Sequence, residues 1–274
     1  MFYLLIVIFL YAVGVFFYQN PTSRNFNIFK FLAFFLFVCI AGLRYNLGVD
    51  YFAYANDYDE TSTLYELLDN NSFGEMLEND REKGYQLFVI ILRSLSDNHQ
   101  LLFLMSSLLC TILLFKALKY FSNRKYFFFS LLTYFCAIYL LLEMQALRQA
   151  MAAGFIYCGL AAITTSLKRA YIWTLCGCFF HNSALIFLLL IPFLSKRISF
   201  KIQISTLCCA LFVIIFKITW LTSIIGFLGI YIPDLAVVAR AMNYLESSNL
   251  GIQRGIYITY FLYFGCISYF CVLL

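Results

Sequence analysis

Two arginines, Arg44 and Arg148, stand at the ends of long apolar runs in this sequence. The planar guanidinium of arginine pairs with phosphate through two hydrogen bonds and keeps its charge when it is partly desolvated. We therefore expect both arginines to hold an anionic lipid headgroup, and a lipid-linked diphosphate suits two of them. The alternative is that they reach ordinary lipid phosphates or pair with Asp50 and Glu143.

Asp50 and His181 are the candidates for proton transfer. Gly48 separates Asp50 from Arg44, and a glycine permits a turn that would fold the carboxylate back beside the membrane. A carboxylate in that place serves as a general base or binds a sugar hydroxyl. His181 lies among the mostly apolar residues 171–194, where an ionisable side chain is functional by default. The alternative is a neutral histidine that is hydrogen-bonded in the core.

Aromatic and acidic residues are interleaved after Asp50, and four further residues complete the candidate site. Tyr51 and Tyr54 would stack on sugar rings while neighbouring carboxylates bind the hydroxyl groups. Glu82 and Tyr85 lie where the chain returns to apolar sequence and would close the same site. The alternative is that each of these residues is simply part of a solvated acidic loop whose tyrosines lie in the membrane interface.

The composition indicates which elements must position these residues. The 274-residue chain is 63% hydrophobic and 12% charged, far outside the range of soluble proteins. Residues 44–84 are the exception, because they hold ten of the 14 acidic residues and only three basic ones. The other basic residues lie mostly in short loops between apolar runs, which is typical of topology determinants and not of a nucleic-acid surface.

The apolar runs predict an all-α, polytopic integral membrane protein with about 8–10 transmembrane or half-membrane helices. Basic residues mark 19–30, 116–125 and 168–169 as cytoplasmic, which leaves the N-terminus, the acidic loop at about 44–84 and the turn at 143–148 outside. Residues 85–95 are too short for a span and must not cross. We expect spans at 2–18, 28–43, 100–118, 127–142 and 149–166.

Residues 171–194 fit either one long span or a hairpin of two half-spans broken at 181–183. We favour the hairpin because it returns the basic residues at 196–201 to the cytoplasm. We expect one transmembrane domain over residues 1–274. Because the sequence ends at Leu274 inside an apolar run, we also expect a C-terminally shortened form. Further apolar segments lie at 202–217, 220–232 and 256–274.

The sequence indicates neither a metal site nor a cofactor. The ten cysteines lie in apolar runs, where they act as small packing residues. Cys176, Cys178 and His181 have a spacing that resembles half of a zinc site, but the sequence holds no second ligand cluster. We therefore expect no metal ligands among these residues.

Four short motifs occur in order between the apolar runs. The sequence reads RYNLGVDYFAY from Arg44, EKGY from Glu82, ALRQAMA around Arg148 and FHNSAL around His181. This ordered set resembles the EpsG family of Wzy-like polysaccharide polymerases over about residues 30–190.

The resemblance implies a multi-pass protein of the bacterial inner membrane that joins oligosaccharide repeat units carried on undecaprenyl diphosphate. The growing chain would pass from its lipid diphosphate to a hydroxyl of the next lipid-linked unit, with no metal or nucleotide sugar. Carried onto this sequence, Arg44 and Arg148 hold the diphosphate, and Asp50 or His181 deprotonates the acceptor hydroxyl. Besides the lipid-linked substrate and the bilayer, a chain-length regulator and a flippase are the expected partners.

Two other functions are compatible with a membrane protein of this composition. A flippase or transporter of lipid-linked oligosaccharides would show symmetry between its halves, which this sequence lacks. A membrane O-acyltransferase of surface glycans would also carry a histidine in an apolar segment.

Overall fold

The computed structural model describes residues 2–70, 82–195 and 204–205. The chain forms two units, Met1–Ser195 and Lys196–Leu274, and all helices named below belong to the first. Within the described residues the regular structure is helical, as the sequence predicts. In chain order the helices are α1 (Phe2–Gln19), α2 (Phe26–Gly42), α3 (Tyr51–Glu60), α4 (Leu64–Asp69), α5 (Lys83–Leu95), α6 (Gln100–Phe121), α7 (Phe127–Leu142, with a π-helical turn at Phe135–Tyr139), α8 (Leu147–Ile163), α9 (Leu167–Phe180) and α10 (Leu185–Leu194).

The apolar helices have the lengths and surfaces of a membrane protein. With 18 and 22 residues, α1 and α6 are long and apolar enough to cross a membrane, and α2, α7, α8 and Asn182–Leu194 are shorter apolar helices. Phe2, Leu5 and Ile8 of α1 are each more than half exposed, which is unfavourable in water but not against lipid. The chain is therefore an all-α membrane protein. The predicted spans beyond residue 200 lie outside the described residues.

Aromatic rings hold the first helices together. Phe17 of α1 stacks on Phe128 of α7 with ring centroids 5.2 Å apart. Phe37 of α2 meets Tyr139 of α7 edge to face at 4.8 Å, and the Tyr139 hydroxyl donates to the Phe37 carbonyl at 2.5 Å. The hydrophobic effect does not favour helix association within lipid. Packing contacts and hydrogen bonds of these kinds must therefore stabilise the association of the helices.

The acidic segment is a connection between apolar helices, as predicted, but it contains helices of its own. Tyr51, Tyr54 and Tyr58 recur at helical spacing in α3, and all three side chains are buried. Thr63 and Glu66 form a capping box at the start of α4, in which each side chain accepts from the backbone N–H of the other. The tyrosines therefore pack inward on one face of a short helix.

Both ends of α5 lie at the same end of the helix bundle. Before α5, Glu82 contacts Arg148 in the first turn of α8. Beyond its other end, Gln100 donates to the carbonyl of Gly42, the last residue of α2, at 2.6 Å. The end of α2 and the start of α8 lie at the same end of the bundle, because Arg44, just after α2, donates a hydrogen bond to the turn before α8. The prediction that this segment does not cross is confirmed.

The last two described helices, α9 and α10, form a hairpin. After Phe180 the backbone of His181 is extended (φ −160°, ψ 131°), and a short 3₁₀ turn leads into α10. Ile191 packs with Ala162 and Ala170 near the start of α9, so the chain has turned back. Helices of 14 and 10 residues reach about 21 and 15 Å, less than the hydrocarbon thickness of about 30 Å. The predicted hairpin is confirmed.

The chain enters and leaves this hairpin on one side of the membrane, and the tip, which stops short of a full span, opens towards the other side. In a variant without the native cysteines, we expect Ser183→Cys to react with a membrane-impermeant maleimide in intact cells, whereas Thr164→Cys and Ser195→Cys do not. All three positions are exposed, so all should react after permeabilisation. Equal labelling of positions 183 and 195 from outside would contradict the hairpin.

Candidate functional site

One carboxylate joins two side chains from distant parts of the chain. Oε2 of Glu82 accepts a hydrogen bond from Nη1 of Arg148 at 2.8 Å, and Oε1 lies 2.8 Å from Nδ1 of His181. The side chain of Glu82 is 8% exposed, that of His181 21% and that of Arg148 38%. We call these three residues the Glu82 cluster. A nearly buried carboxylate thus holds two partly open groups beside each other.

Three helix ends bring the Glu82 cluster together. Glu82 precedes α5, Arg148 lies in the first turn of α8, and His181 follows the end of α9. The N-terminus of a helix carries partial positive charge, so a cation in the first turn is unfavourable and the carboxylate of Glu82 offsets it. The helix begins at Leu147, slightly earlier than the predicted span at 149–166, and this places Arg148 within it.

Gly84 allows α5 to approach α9 closely. A Cβ atom at this position would lie 2.6 Å from both Cβ and the carbonyl oxygen of Phe179, closer than such atoms come in real structures. Glu82 lies two residues before this contact and His181 two residues after it. The glycine of the EKGY motif therefore permits the short distance between the carboxylate and the imidazole.

The carboxyl group of Glu82 is ionised at neutral pH. Burial raises its pKa, but a backbone hydrogen bond and the attraction of Arg148 and His181 outweigh burial and bring the pKa below its usual 4.5. An ionised carboxylate only accepts hydrogen bonds, so Nδ1 of His181 carries the hydrogen. In the neutral ring Nε2 is then an acceptor, which is the arrangement of a histidine base oriented by a carboxylate.

Tyr54 and Tyr85 lie behind the guanidinium of Arg148. Their ring centroids are 6.1 Å apart in an edge-to-face pair, and the guanidinium lies 5.8 Å from the Tyr85 centroid. The hydroxyl of Tyr54 lies close enough to Arg148 for the two side chains to interact electrostatically. Both tyrosines are buried, so in this structure their rings contact protein. Their stacking on a sugar stays a prediction.

Arg44 points into the bundle and not towards the membrane surface. Its side chain is 2% exposed, and Nη1 donates to the carbonyl oxygen of Glu143 at 2.8 Å. The guanidinium also lies 4.6 Å from the ring centroid of Phe103. Its contact with a lipid diphosphate stays a prediction, since the structure shows the side chain engaged with protein.

Asp50 and Tyr51 lie at the start of α3, one turn before Tyr54. The ring of Tyr51 stacks on Phe103 with centroids 4.6 Å apart, while Asp50 is the residue before the helix. The charges of Asp50 and of both arginines act on the hydroxyl of Tyr54. The structure therefore gathers the candidate residues at one end of the bundle, although only part of them touch. Whether Asp50 has a catalytic role stays a prediction.

Glu143 is a buried acid that the sequence did not mark as a site residue. It is 1% exposed, and its Oε1 accepts from the hydroxyl of Tyr134 at 2.7 Å. The sequence did contain a signal for a special role of Glu143, because it is the only acidic residue between Asp97 and Asp234. Arg44 does pair with this residue, but through the backbone carbonyl.

Cysteine and histidine do not form a metal centre in the described part of the chain. Within residues 2–70, 82–195 and 204–205, no three His, Cys, Asp or Glu side chains lie close enough to share an ion. Cys176 and Cys178 are free thiols, and Nδ1 of His181 contacts Glu82.

The fold and the Glu82 cluster define the class of the protein. It is a helical membrane protein with a site at one end of its bundle, where an ionised carboxylate is hydrogen-bonded to an arginine and a histidine. Within that class the chain belongs to the EpsG family, whose family model matches residues 27–274. All four sequence motifs lie in this range. Membership makes the chain a polysaccharide polymerase-like membrane protein of the glycosyltransferase type. No curated protein and no solved structure matches the chain.

Gly84→Ala is expected to force α5 and α9 apart. Overpacking of this kind costs about 1–3 kcal/mol, and we expect a lower unfolding temperature of the purified protein in detergent. Gly14→Ala is the matched control, because its Cβ would meet only the movable ring of Phe129, at 3.1 Å. Wild-type stability of Gly84→Ala would contradict the close approach.

The lowered pKa of Glu82 predicts a pH dependence of stability. Because the pKa in the folded protein lies below the usual 4.5, Glu82 contributes stability above that value, which is lost as the pH falls through the folded pKa. The difference in unfolding temperature between wild type and Glu82→Gln should thus be largest near neutral pH and shrink below 4.5. The exposed Glu60 provides a control as Glu60→Gln. A difference that stays constant with pH would contradict the ionised contact.

Proposed function

We propose that the protein polymerises undecaprenyl-diphosphate-linked oligosaccharide repeat units at the outer face of the bacterial inner membrane. The observation that carries the proposal is the Glu82 cluster, in which one carboxylate orients a histidine and holds an arginine beside it. Glycosyl transfer from a lipid diphosphate needs a base for the acceptor hydroxyl and a cation for the leaving diphosphate. Membership of the EpsG family supports this reaction class.

Arg148 is the residue that would hold the diphosphate. A guanidinium has five N–H donors, and the hydrogen bond to Glu82 uses the Nη1 group alone. The side chain is also the most exposed member of the Glu82 cluster. In the reaction Arg148 would stabilise the negative charge that develops on the departing diphosphate. This contribution does not depend on a metal ion, and we propose a metal-independent reaction.

His181 is the residue that would act as the general base. Its Nε2 would take the proton of the acceptor hydroxyl while the hydroxyl oxygen attacks the anomeric carbon of the donor sugar. A new glycosidic bond forms, and the bond from that carbon to the diphosphate oxygen breaks with its electron pair, releasing undecaprenyl diphosphate. Glu82 would stabilise the imidazolium that results. The geometry favours His181 over Asp50 as the base, because a carboxylate already orients the histidine.

The proposal places the Glu82 cluster beside the lipid phosphates of the outer leaflet. The ends of α2, α7 and α9 meet there with the start of α8, and the basic loops of the described chain lie at the opposite helix ends. Such an arrangement suits the positive-inside rule. A flippase that delivers the repeat units and a chain-length regulator are the protein partners that this function would require.

Polymerisation is tested by the size of the surface glycan in a deletion strain that carries variants. We expect His181→Ala to slow transfer by about 10²–10⁴-fold, the usual contribution of a general base. The glycan ladder on a gel should then collapse to a single repeat unit. Arg148→Lys should shorten the ladder, because lysine lacks the bidentate guanidinium.

The controls are the chain's other histidine, as His99→Gln, and an arginine on α5 that pairs with Asp97, as Arg93→Lys. Both should leave the ladder unchanged at equal protein abundance. A full ladder that lacks only acyl groups in the deletion strain would indicate an O-acyltransferase instead. Lipid-linked repeat units that accumulate at the cytoplasmic face would indicate a flippase.

A further inference from the structure

Arg44 is packed against the turn that precedes α8. Its Nη1 donates to the Glu143 carbonyl at 2.8 Å, and its guanidinium lies over the ring of Phe103. Burying a cation is costly, and Nε and Nη2 of Arg44 have no hydrogen-bond partner among the described residues. The hydrogen bond from Nη1 and the contact with the Phe103 ring hold the side chain inward, which differs from snorkelling to the surface. At 2% exposure, the side chain offers no surface to a phosphate outside the protein.

Gly48 packs against the next residue of the same turn. Its φ of 108° is one that side-chain-bearing residues rarely adopt, and a Cβ atom there would lie 2.2 Å from the carbonyl oxygen of Met144. Glycine, which has no Cβ atom, accommodates both the positive φ and the close carbonyl oxygen. The two ends of the segment 44–48 therefore meet two adjacent residues of one turn, Glu143 and Met144.

The segment 44–48 is itself anchored to α6. Nε2 of Gln100, the first residue of α6, donates to the carbonyl of Gly42 at 2.6 Å and to that of Arg44 at 3.2 Å. With 22 residues, α6 is the longest helix in the described part of the chain. The segment thus has a rigid support on one side and the turn on the other.

We propose that residues 44–48 clamp the turn at residues 143–146 and that Arg44 is a positioning residue for Arg148. The turn ends one residue before α8 begins, and Arg148 is the second residue of that helix. A displacement of the turn therefore moves the guanidinium that faces the substrate. The catalytic consequence rests on the proposed function, whereas the clamp itself does not.

The clamp assigns one physical role to the arginine and the glycine of the RYNLG motif. Arg44 supplies the charged donor to the carbonyl of Glu143, and Gly48 supplies the space for the carbonyl of Met144. Under this proposal neither residue gives a group to the substrate. Variants of the two should consequently share one phenotype, although one changes charge and the other adds a methyl group.

Hydrogen exchange of the purified full-length protein in lipid nanodiscs tests the clamp without an activity assay. In Arg44→Gln and in Gly48→Ala we expect amides of residues 143–150 to exchange about tenfold faster or more, because a charged hydrogen bond or its geometry is lost. Arg93→Gln and Gly14→Ala are matched controls, in which these amides should exchange at the wild-type rate. Unchanged exchange in either clamp variant overturns the proposal.

A double-mutant cycle tests the link to Arg148, with transfer of lipid-linked repeat units measured in proteoliposomes. If Arg44 acts through Arg148, the loss of kcat caused by Arg44→Gln should be at least several-fold smaller in an Arg148→Lys background. Independent, multiplicative losses would instead indicate a direct contact of Arg44 with substrate and overturn the positioning role. Full activity of Arg148→Lys would refute the proposed function, while hydrogen exchange would still decide the clamp.

Discussion

The carboxylate of Glu82 is the interaction on which the candidate site depends. Each of its oxygens contacts a side chain from a different helix, Arg148 of α8 and His181 at the end of α9. Without it, a cation would stand uncompensated at a positive helix end, and the imidazole would lose the partner that orients it. Buried ion pairs add little net stability, because desolvation offsets their attraction. What Glu82 supplies is a fixed geometry between two chemically different groups.

The same contact explains why the hairpin of α9 and α10 is tolerated inside a membrane protein. An interrupted helix exposes backbone and side-chain polar groups, which lipid cannot satisfy, so such breaks occur only against protein or water. Here the break carries a histidine whose Nδ1 has a carboxylate partner, and α8 packs beside it through Ala152 and Ala184. The break and the site are therefore one feature.

Arg44 and Arg148 show how one local pattern leads to two roles. Each is an arginine at the end of an apolar helix, and each has an acidic residue in reach. Arg148 keeps 38% of its side chain open beside the carboxylate of Glu82, whereas Arg44 is covered and contacts the backbone of Glu143. The difference arises because Phe103 and the turn at 143–146 lie over one guanidinium, and tyrosines lie behind the other.

The sequence by itself determined the helices, the membrane class, the non-crossing α5 and the break at residues 181–183, and it supplied a set of candidate site residues that includes Glu82, Arg148 and His181. These depend on the length and polarity of local runs, which a single chain shows directly. It did not determine that α3 buries its tyrosines, although their helical spacing was a signal, nor which acid meets which base. Glu82 and His181 are 99 positions apart, and Arg44 and Glu143 are equally far apart in sequence. Only the packing of α5 and α8 against α9, and of α2 and α8 against α6, decided these pairs, because a side chain's partner is set by where its helix lies and not by its neighbours in the chain.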